Sequence, residues 1–399
     1  MSLACPGNAQ GLLHVSFNQD GSCLALATRE GLRIFSVDAH AVVYKNPLGA
    51  IRLAEMLFST SLVAYAGAGE QPALTPRRLT VFNTSSGEAI QHISFASSVL
   101  GVLINRQRLV VVLERRANVY ALQSLEHLRT LETPPNPRGL GALTPAAEPG
   151  DPDLLALPSS ASGGALTVYD LASDGGNAVC EISAHKAPLA ALAWSRDGAL
   201  LATASTTGTV VRVHALQPGA SRLFSFRRGA TPATVHCLAF SPPGVEPRLL
   251  AAASSHGTVH LFRLEAAERH PALAAASAAV GLLAAVVKLP VTDMVDPVRN
   301  IITVRLPCHN VPCICALQRP SGGGGGEAGA AAGLRSAPSS SSLAAPAAGG
   351  GGLTLLVATA EGLLYEYALD DLANPQGPTC ALGGEWALLG SAGLGGGGG

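Results

Sequence analysis

Two adjacent arginines, Arg227 and Arg228, sit in the run Phe226-Arg227-Arg228-Gly229. A guanidinium is a planar, permanently charged fork that can hold a phosphate through two parallel charge-assisted hydrogen bonds. In an extended segment successive side chains point to opposite faces, so neighbouring arginines would serve two separate anion pockets and not one. The 48 residues from Gly198 to Val245 contain no Asp or Glu, while Arg212, Arg222, Arg227 and Arg228 all fall inside them. The whole chain is close to neutral, with 26 Lys and Arg against 27 Asp and Glu. That balance lacks the diffuse basic charge of a general binder of nucleic acid or anionic surfaces, so no nucleic-acid partner is expected and any anion site must be local. Taken alone, an Arg-Arg dipeptide equally describes a solvated pair on a loop, and both readings stand at this point.

Other chemistry has little foothold. Of eight cysteines, Cys23, Cys237, Cys313 and Cys315 lie in apolar runs where a reduced thiol behaves as a small hydrophobe, which fits a reducing, intracellular setting. Cys308, Cys313 and Cys315 lack the Cys-x-x-Cys spacing and the matching second pair of a structural metal site. There is no His-Glu-x-x-His, phosphate loop or nucleophile elbow. The expectation is a binding protein without cofactor and not an enzyme. Met1 to Gln10 has neither the basic nor the apolar region of a signal peptide, and Pro271 to Val287 is short and weakly apolar for a membrane span.

The elements that must position the arginines come from a repeat: an apolar strand, a turn, a second strand ending in small residues, a Gly turn, then another strand. It is plain from Leu13 to Asp38, Leu189 to Leu216 and Val235 to Leu264, and looser in Cys313 to Leu317 with Leu353 to Leu369. Trp194 to Phe240 is 46 residues, and Phe17 to Phe240 is 223, or five steps of about 45. That is the blade period of a WD40-like propeller. Degenerate copies in Ile51 to Phe95, Val99 to Leu131 and Leu140 to Ile182 bring the count to seven blades. The fold expected is therefore all-β, a divergent seven-bladed β-propeller over 11–370 with a flexible C-terminal tail over 371–399. Ser321 to Gly352 is poly-Gly, poly-Ser and Ala, and reads as a disordered insertion in blade seven. Glu265 to Asn300 separates two strands of blade six and is too long for a hairpin turn.

A Phe-Arg-Arg-Gly motif between the fifth and sixth blades of a divergent propeller resembles the PROPPIN family, phosphoinositide-binding propellers of autophagy, and the resemblance runs over nearly the whole chain. The strings Ala184-His185-Lys186, Ala202 to Thr209 and Gly257 to Phe262 also look like that family. The resemblance implies binding of phosphatidylinositol 3-phosphate and phosphatidylinositol 3,5-bisphosphate at two headgroup sites. The first would use Arg227 with His185, Thr203, Ser205 and Arg212; the second would use Arg228 with Ser254, Thr258 and His260. Spacing agrees, because Thr203 and Ser205, and likewise Thr258 and His260, are two apart on a strand and share a face. Each also has a plain structural reading: threonine favours strands, and a lone histidine is commonly a packed or hydrogen-bonded residue.

The resemblance further implies that the segment from Glu265 to Asn300 contacts the bilayer. On a helical wheel Leu273, Val280, Leu283 and Val287 fall together, but alanine filler and the absence of aromatics predict shallow insertion, and packing against the propeller stays open. Arg115 and Arg116 are a candidate partner contact or a solvated turn. Implied partners are membrane phosphoinositides and other autophagy proteins, plausibly a lipid-transfer protein, engaged by a monomer. The implied location is cytoplasmic, peripheral on pre-autophagosomal and endosomal or vacuolar membranes. The rival reading is a soluble WD40-like protein-interaction scaffold that binds no lipid.

Overall fold

The computed structural model describes residues 2–5, 8–148, 150–172, 177–216, 221–264, 298–308, 310–319, 352–374 and 378–390. These form seven antiparallel sheets in chain order, the seven blades expected from the repeat. Blade one is Leu12–Phe17, Cys23–Thr28, Leu32–Ser36 and Ala41–Asn46; blade five is Leu189–Trp194, Leu200–Ser205, Val210–Ala215 and Ser221–Arg227. Blade six is Val235–Phe240, Leu249–Ser254, Thr258–Arg263 and Ile302–Arg305, and blade seven runs from Cys313–Gln318 to Thr379–Ala387. One 3-10 turn, Pro72–Leu74, interrupts blade two. Among the described residues no helix is long and apolar enough to cross a membrane.

Side-chain type follows depth within each blade. First strands line a central cavity. Second strands such as Leu200–Ser205 and Leu249–Ser254 are buried along their whole length, with blades packed against both faces. Continuous runs of Leu, Ala and small hydroxyls suit that position, because large side chains on both faces would hold neighbouring sheets apart. Outer strands such as Ala41–Asn46 alternate exposed and half-buried residues, the period-two pattern of a sheet edge facing water.

Among the described residues the ring closes by packing, with no strand exchanged between its ends. One core cluster joins blades one, six and seven through Leu12, Phe35, Leu261, Leu355 and Tyr365. Across the closure, the Asn8 side-chain amide donates to the Ala360 carbonyl at 2.7 Å, Arg33 donates to the Leu389 carbonyl at 2.9 Å, and His40 stacks on Trp386 with ring centroids 3.9 Å apart.

The ends differ from the sequence-based boundaries. Ser2–Ala4 pairs with the first strand of blade one, and Thr379–Ala387 is the fourth strand of blade seven, so the propeller does not stop at 370. The last strand hides in the sequence because Gly383 and Gly384 interrupt it and its edge position buries almost nothing. Residues 265–297, 320–351 and 391–399, which hold most of the predicted loop, insertion and terminal glycine run, lie outside the described residues.

Phe226 is 1% exposed and stacks on Phe262 of blade six at 4.8 Å, with Phe224 at 5.5 Å on its other side. It thus ties the end of blade five to blade six beside both arginines. Phe226→Ala should destabilise the fold by about 3–5 kcal/mol through lost burial and a residual cavity, measured as a lower denaturation midpoint; a loss under about 1 kcal/mol would show that the neighbouring rings do not need it.

Candidate functional site

Strand register sorts the residues onto faces. In blade five Thr203 lies opposite Arg212, Arg212 opposite Ser225, and Val210 opposite Arg227. Directly paired residues, and alternate residues along a strand, share a face. Thr203, Ser205, Arg212 and Arg227 therefore occupy one face of the blade. His185, at the end of the outer strand of blade four, meets it: its Nε2 lies 2.9 Å from the Thr203 hydroxyl. Arg212 donates to the Ala184 carbonyl, which pins the two blades together at this point. Gly164 makes room for the contact, since a Cβ there would come within 2.5 Å of the His185 Cβ.

Arg228 goes the other way. Its backbone N–H donates to the Thr209 carbonyl at 2.9 Å, and its guanidinium donates to the carbonyls of Gly208 and Thr231. The turn that supplies these acceptors needs glycine: Gly208 has φ +61°, and a Cβ there would lie 1.8 Å from the Ala233 carbonyl oxygen. On the blade-six side Ser254 pairs with Thr258, and His260 pairs with Thr303. Their side chains form one chain of hydrogen bonds, from the Ser254 hydroxyl to Thr258 (3.0 Å), Thr258 to His260 Nε2 (3.2 Å), and His260 Nδ1 to Thr303 (3.1 Å). Asn300 extends it by donating its amide to the Thr303 hydroxyl at 2.6 Å.

Between the two clusters is an open recess of about 340 Å³ lined by Arg227, Arg228, Gly229, Ala230 and Asn300. The segment returning after residue 297 reaches this edge: Val298–Arg299 runs parallel to the last strand of blade five, with Val298 opposite Phe226 and Arg299 opposite Arg227.

The arginines are not equivalent. Arg227 is exposed, whereas Arg228 is only 5% exposed with its guanidinium held on backbone carbonyls. Thr203 and Ser254 are wholly buried, Thr203 against the His185 imidazole and Ser254 against the Thr258 hydroxyl. His185 and His260 are both pushed down to about 4, first by burial and then by the positive charge of Arg212 beside the former and Arg228 beside the latter. Near neutral pH both rings are uncharged, so the positive charge of the edge resides in its arginines.

The structure thus brings together the nine polar residues singled out in the sequence as two clusters around Arg227 and Arg228. It adds Asn300 and Thr303, which carried no signal because chain outside the described residues separates them from blade six's third strand. Arg115 and Arg116 are exposed at the turn between the second and third strands of blade three, on a different blade. Cys313 and Cys315 are buried in the first strand of blade seven, and no metal-binding group of three His, Cys, Asp or Glu occurs among the described residues.

A seven-bladed propeller with two arginines and two polar clusters at the edge between blades five and six is the class these features define. The chain belongs to the PROPPIN family, whose model matches residues 11–320. It is 40% identical over 286 residues to Autophagy-related protein 18b of Arabidopsis thaliana, covering 72% of this chain and 75% of that protein. It is 35% identical over 326 residues to Autophagy-related protein 18 of Dictyostelium discoideum, covering 78% and 84%. Kluyveromyces lactis Hsv2 has the same fold, with a TM-score of 0.66 at 17% identity over 94% of this chain and 98% of that one. KlAtg21, solved in complex with the coiled coil of AgAtg16, superposes with a TM-score of 0.63 at 22% identity, covering 94% and 99%. The chain is accordingly an autophagy-related propeller, of a family to which phosphoinositide binding is typical.

The neutral histidines give a pH signature. His14, at about 3, and His214, at about 4, are lowered by burial as well. All four have folded values below the ordinary 6.5, so the unfolded chain binds more protons between about pH 6.5 and 4 and stability falls as pH drops through that window. Urea midpoints taken from pH 7 to pH 4 should fall less steeply in His185→Gln than in the parent protein; parallel curves would show that His185 is not held neutral by the fold.

Proposed function

We propose that this protein is a phosphoinositide effector that docks on membranes by binding phosphatidylinositol 3-phosphate and phosphatidylinositol 3,5-bisphosphate at two headgroup sites. The observation that carries this reading is the division of Arg227 and Arg228 onto opposite faces, each beside its own cluster of hydroxyls and imidazole. A phosphate monoester presents several acceptor oxygens, and an arginine fork with a neighbouring hydroxyl or imidazole N–H matches them. Arg227 works with His185, Thr203, Ser205 and Arg212; Arg228 works with Ser254, Thr258 and His260. Two modest sites on one edge act together, because occupying the first makes the second encounter intramolecular.

The chain re-enters the described fold beside this edge at Val298–Arg299, which supports a role for the preceding segment, 265–297, as an additional bilayer contact. The propeller works without catalysis or cofactor, recruiting autophagy factors, including a lipid-transfer protein, to pre-autophagosomal and endosomal or vacuolar membranes. KlAtg21 in complex with a coiled coil supports recruitment through the propeller surface.

Flotation on vesicles containing phosphatidylinositol 3-phosphate tests the proposal. The double variant Arg227→Thr with Arg228→Thr should lose binding, and each single variant should lose roughly tenfold or more through broken avidity. Arg227→Thr should leave the melting temperature nearly unchanged because Arg227 is exposed, whereas Arg228→Thr should lower it through lost hydrogen bonds to buried carbonyls. A folded double variant that still floats with those vesicles, or parent protein that binds plain anionic vesicles equally well, would overturn the headgroup reading and leave a protein-binding scaffold.

A further inference from the structure

A second concave site lies on the propeller axis, away from the blade-five edge. The central cavity, about 310 Å³, is lined by first-strand residues of several blades. At its far end Gln19 closes it by donating to the carbonyls of Met56 and Ile104, and Arg196 donates to the Asp20 carbonyl. Toward the end where the first strands begin, the lining includes Arg138 of the loop entering blade four and His236, second residue of its strand in blade six. Most of the wall between is apolar, with Val102, Leu140, Trp194 and Leu238 among it.

Arg138, which is exposed, and His236, which is half-buried, both stand at the cavity without a partner among the described residues. No ion pair or hydrogen bond holds the Arg138 guanidinium among the described residues, and the His236 Nε2 is shielded from water without a hydrogen-bond partner. The Arg138 charge reaches His236, which is lowered by burial and then by that guanidinium. The backbone next to Arg138 is fixed: Gly139 takes φ +60° against Leu100 and Gly101, where a Cβ would come within 2.6 Å of the Leu100 carbonyl carbon. The acidic groups of the lining do not answer it. Asp20 accepts from the Ser22 hydroxyl and backbone at the far end, and Glu55 is buried among Ser2 and Ser16, its carboxyl pushed up to about 7.

We infer that the central cavity is a binding site for a small phosphate monoester, whose phosphate is held by Arg138 and His236 and whose body enters the channel. A guanidinium fork and an imidazole lining the same mouth are groups suited to phosphate oxygens. The volume admits a small metabolite and the closed far end excludes a polymer chain. The site is independent of the headgroup edge, since none of its lining residues belongs to either cluster there.

The test uses the full chain carrying Arg227→Thr and Arg228→Thr, so that binding at the blade-five edge is removed, titrated with inorganic phosphate while the His236 ring resonances are followed by NMR. Saturable movement of the His236 resonances is expected. Adding Arg138→Gln should weaken the affinity at least tenfold, and Arg138→Lys should retain part of it. Absence of saturable movement at His236, or affinity unchanged within about threefold in a folded Arg138→Gln protein, would overturn the inference. Parent protein titrated in parallel shows the edge sites separately, so failure at the channel and failure at the edge are read apart.

Discussion

The arrangement depends on the antiparallel register of the last two strands of blade five. Because Val210 lies opposite Arg227 and Val211 opposite Phe226, the buried ring and the first arginine take opposite faces of one strand. The second arginine then falls just past the strand's end, where the Gly208 turn receives its guanidinium. A slip of one residue would bury a guanidinium among the blade-five and blade-six aromatics and expose Phe226, a double penalty that fixes the register. The stack of Phe224, Phe226 and Phe262 is thus as much a part of the anion edge as the arginines are.

Around that register the electrostatics are arranged by omission. The acid-free stretch from Gly198 to Val245 begins just after Asp197, which is engaged by Arg248 at 2.5 Å away from the edge. No acidic side chain within that stretch competes for the edge arginines. Burial keeps His185 and His260 neutral, so the polar clusters add directed hydrogen bonding without adding charge that would have to be desolvated. Under the proposed headgroup reading, recognition would rest on directed hydrogen bonds and a few arginines, as suits a near-neutral protein.

Much of this was legible in the sequence because a propeller repeats its own signals. The blade period, the Gly turns and the two-residue spacing of Thr203 with Ser205 and Thr258 with His260 placed the strands and the shared faces before any coordinates. Three things were not legible. Thr379–Ala387 pairs at an exposed edge and carries two glycines, so neither burial nor propensity marks it as a strand. Thr303 joins the blade-six cluster through cross-strand pairing with His260, and Asn300 through its hydrogen bond to Thr303, neither of which a local pattern encodes. The inequality of the arginines also escaped, since the burial of Arg228 depends on carbonyls of the Gly208 turn and of Thr231 and not on its sequence neighbours' polarity.

The central claim is that one strand end serves two independent phosphate sites. Calorimetric titration with soluble inositol 1,3-bisphosphate, taking Arg138→Gln as the parent protein so that the central channel contributes nothing, counts them directly. The account predicts two headgroups per chain in the parent protein, one in Arg227→Thr and one in Arg228→Thr. A single headgroup in the parent protein, or a stoichiometry untouched by both substitutions, would contradict it.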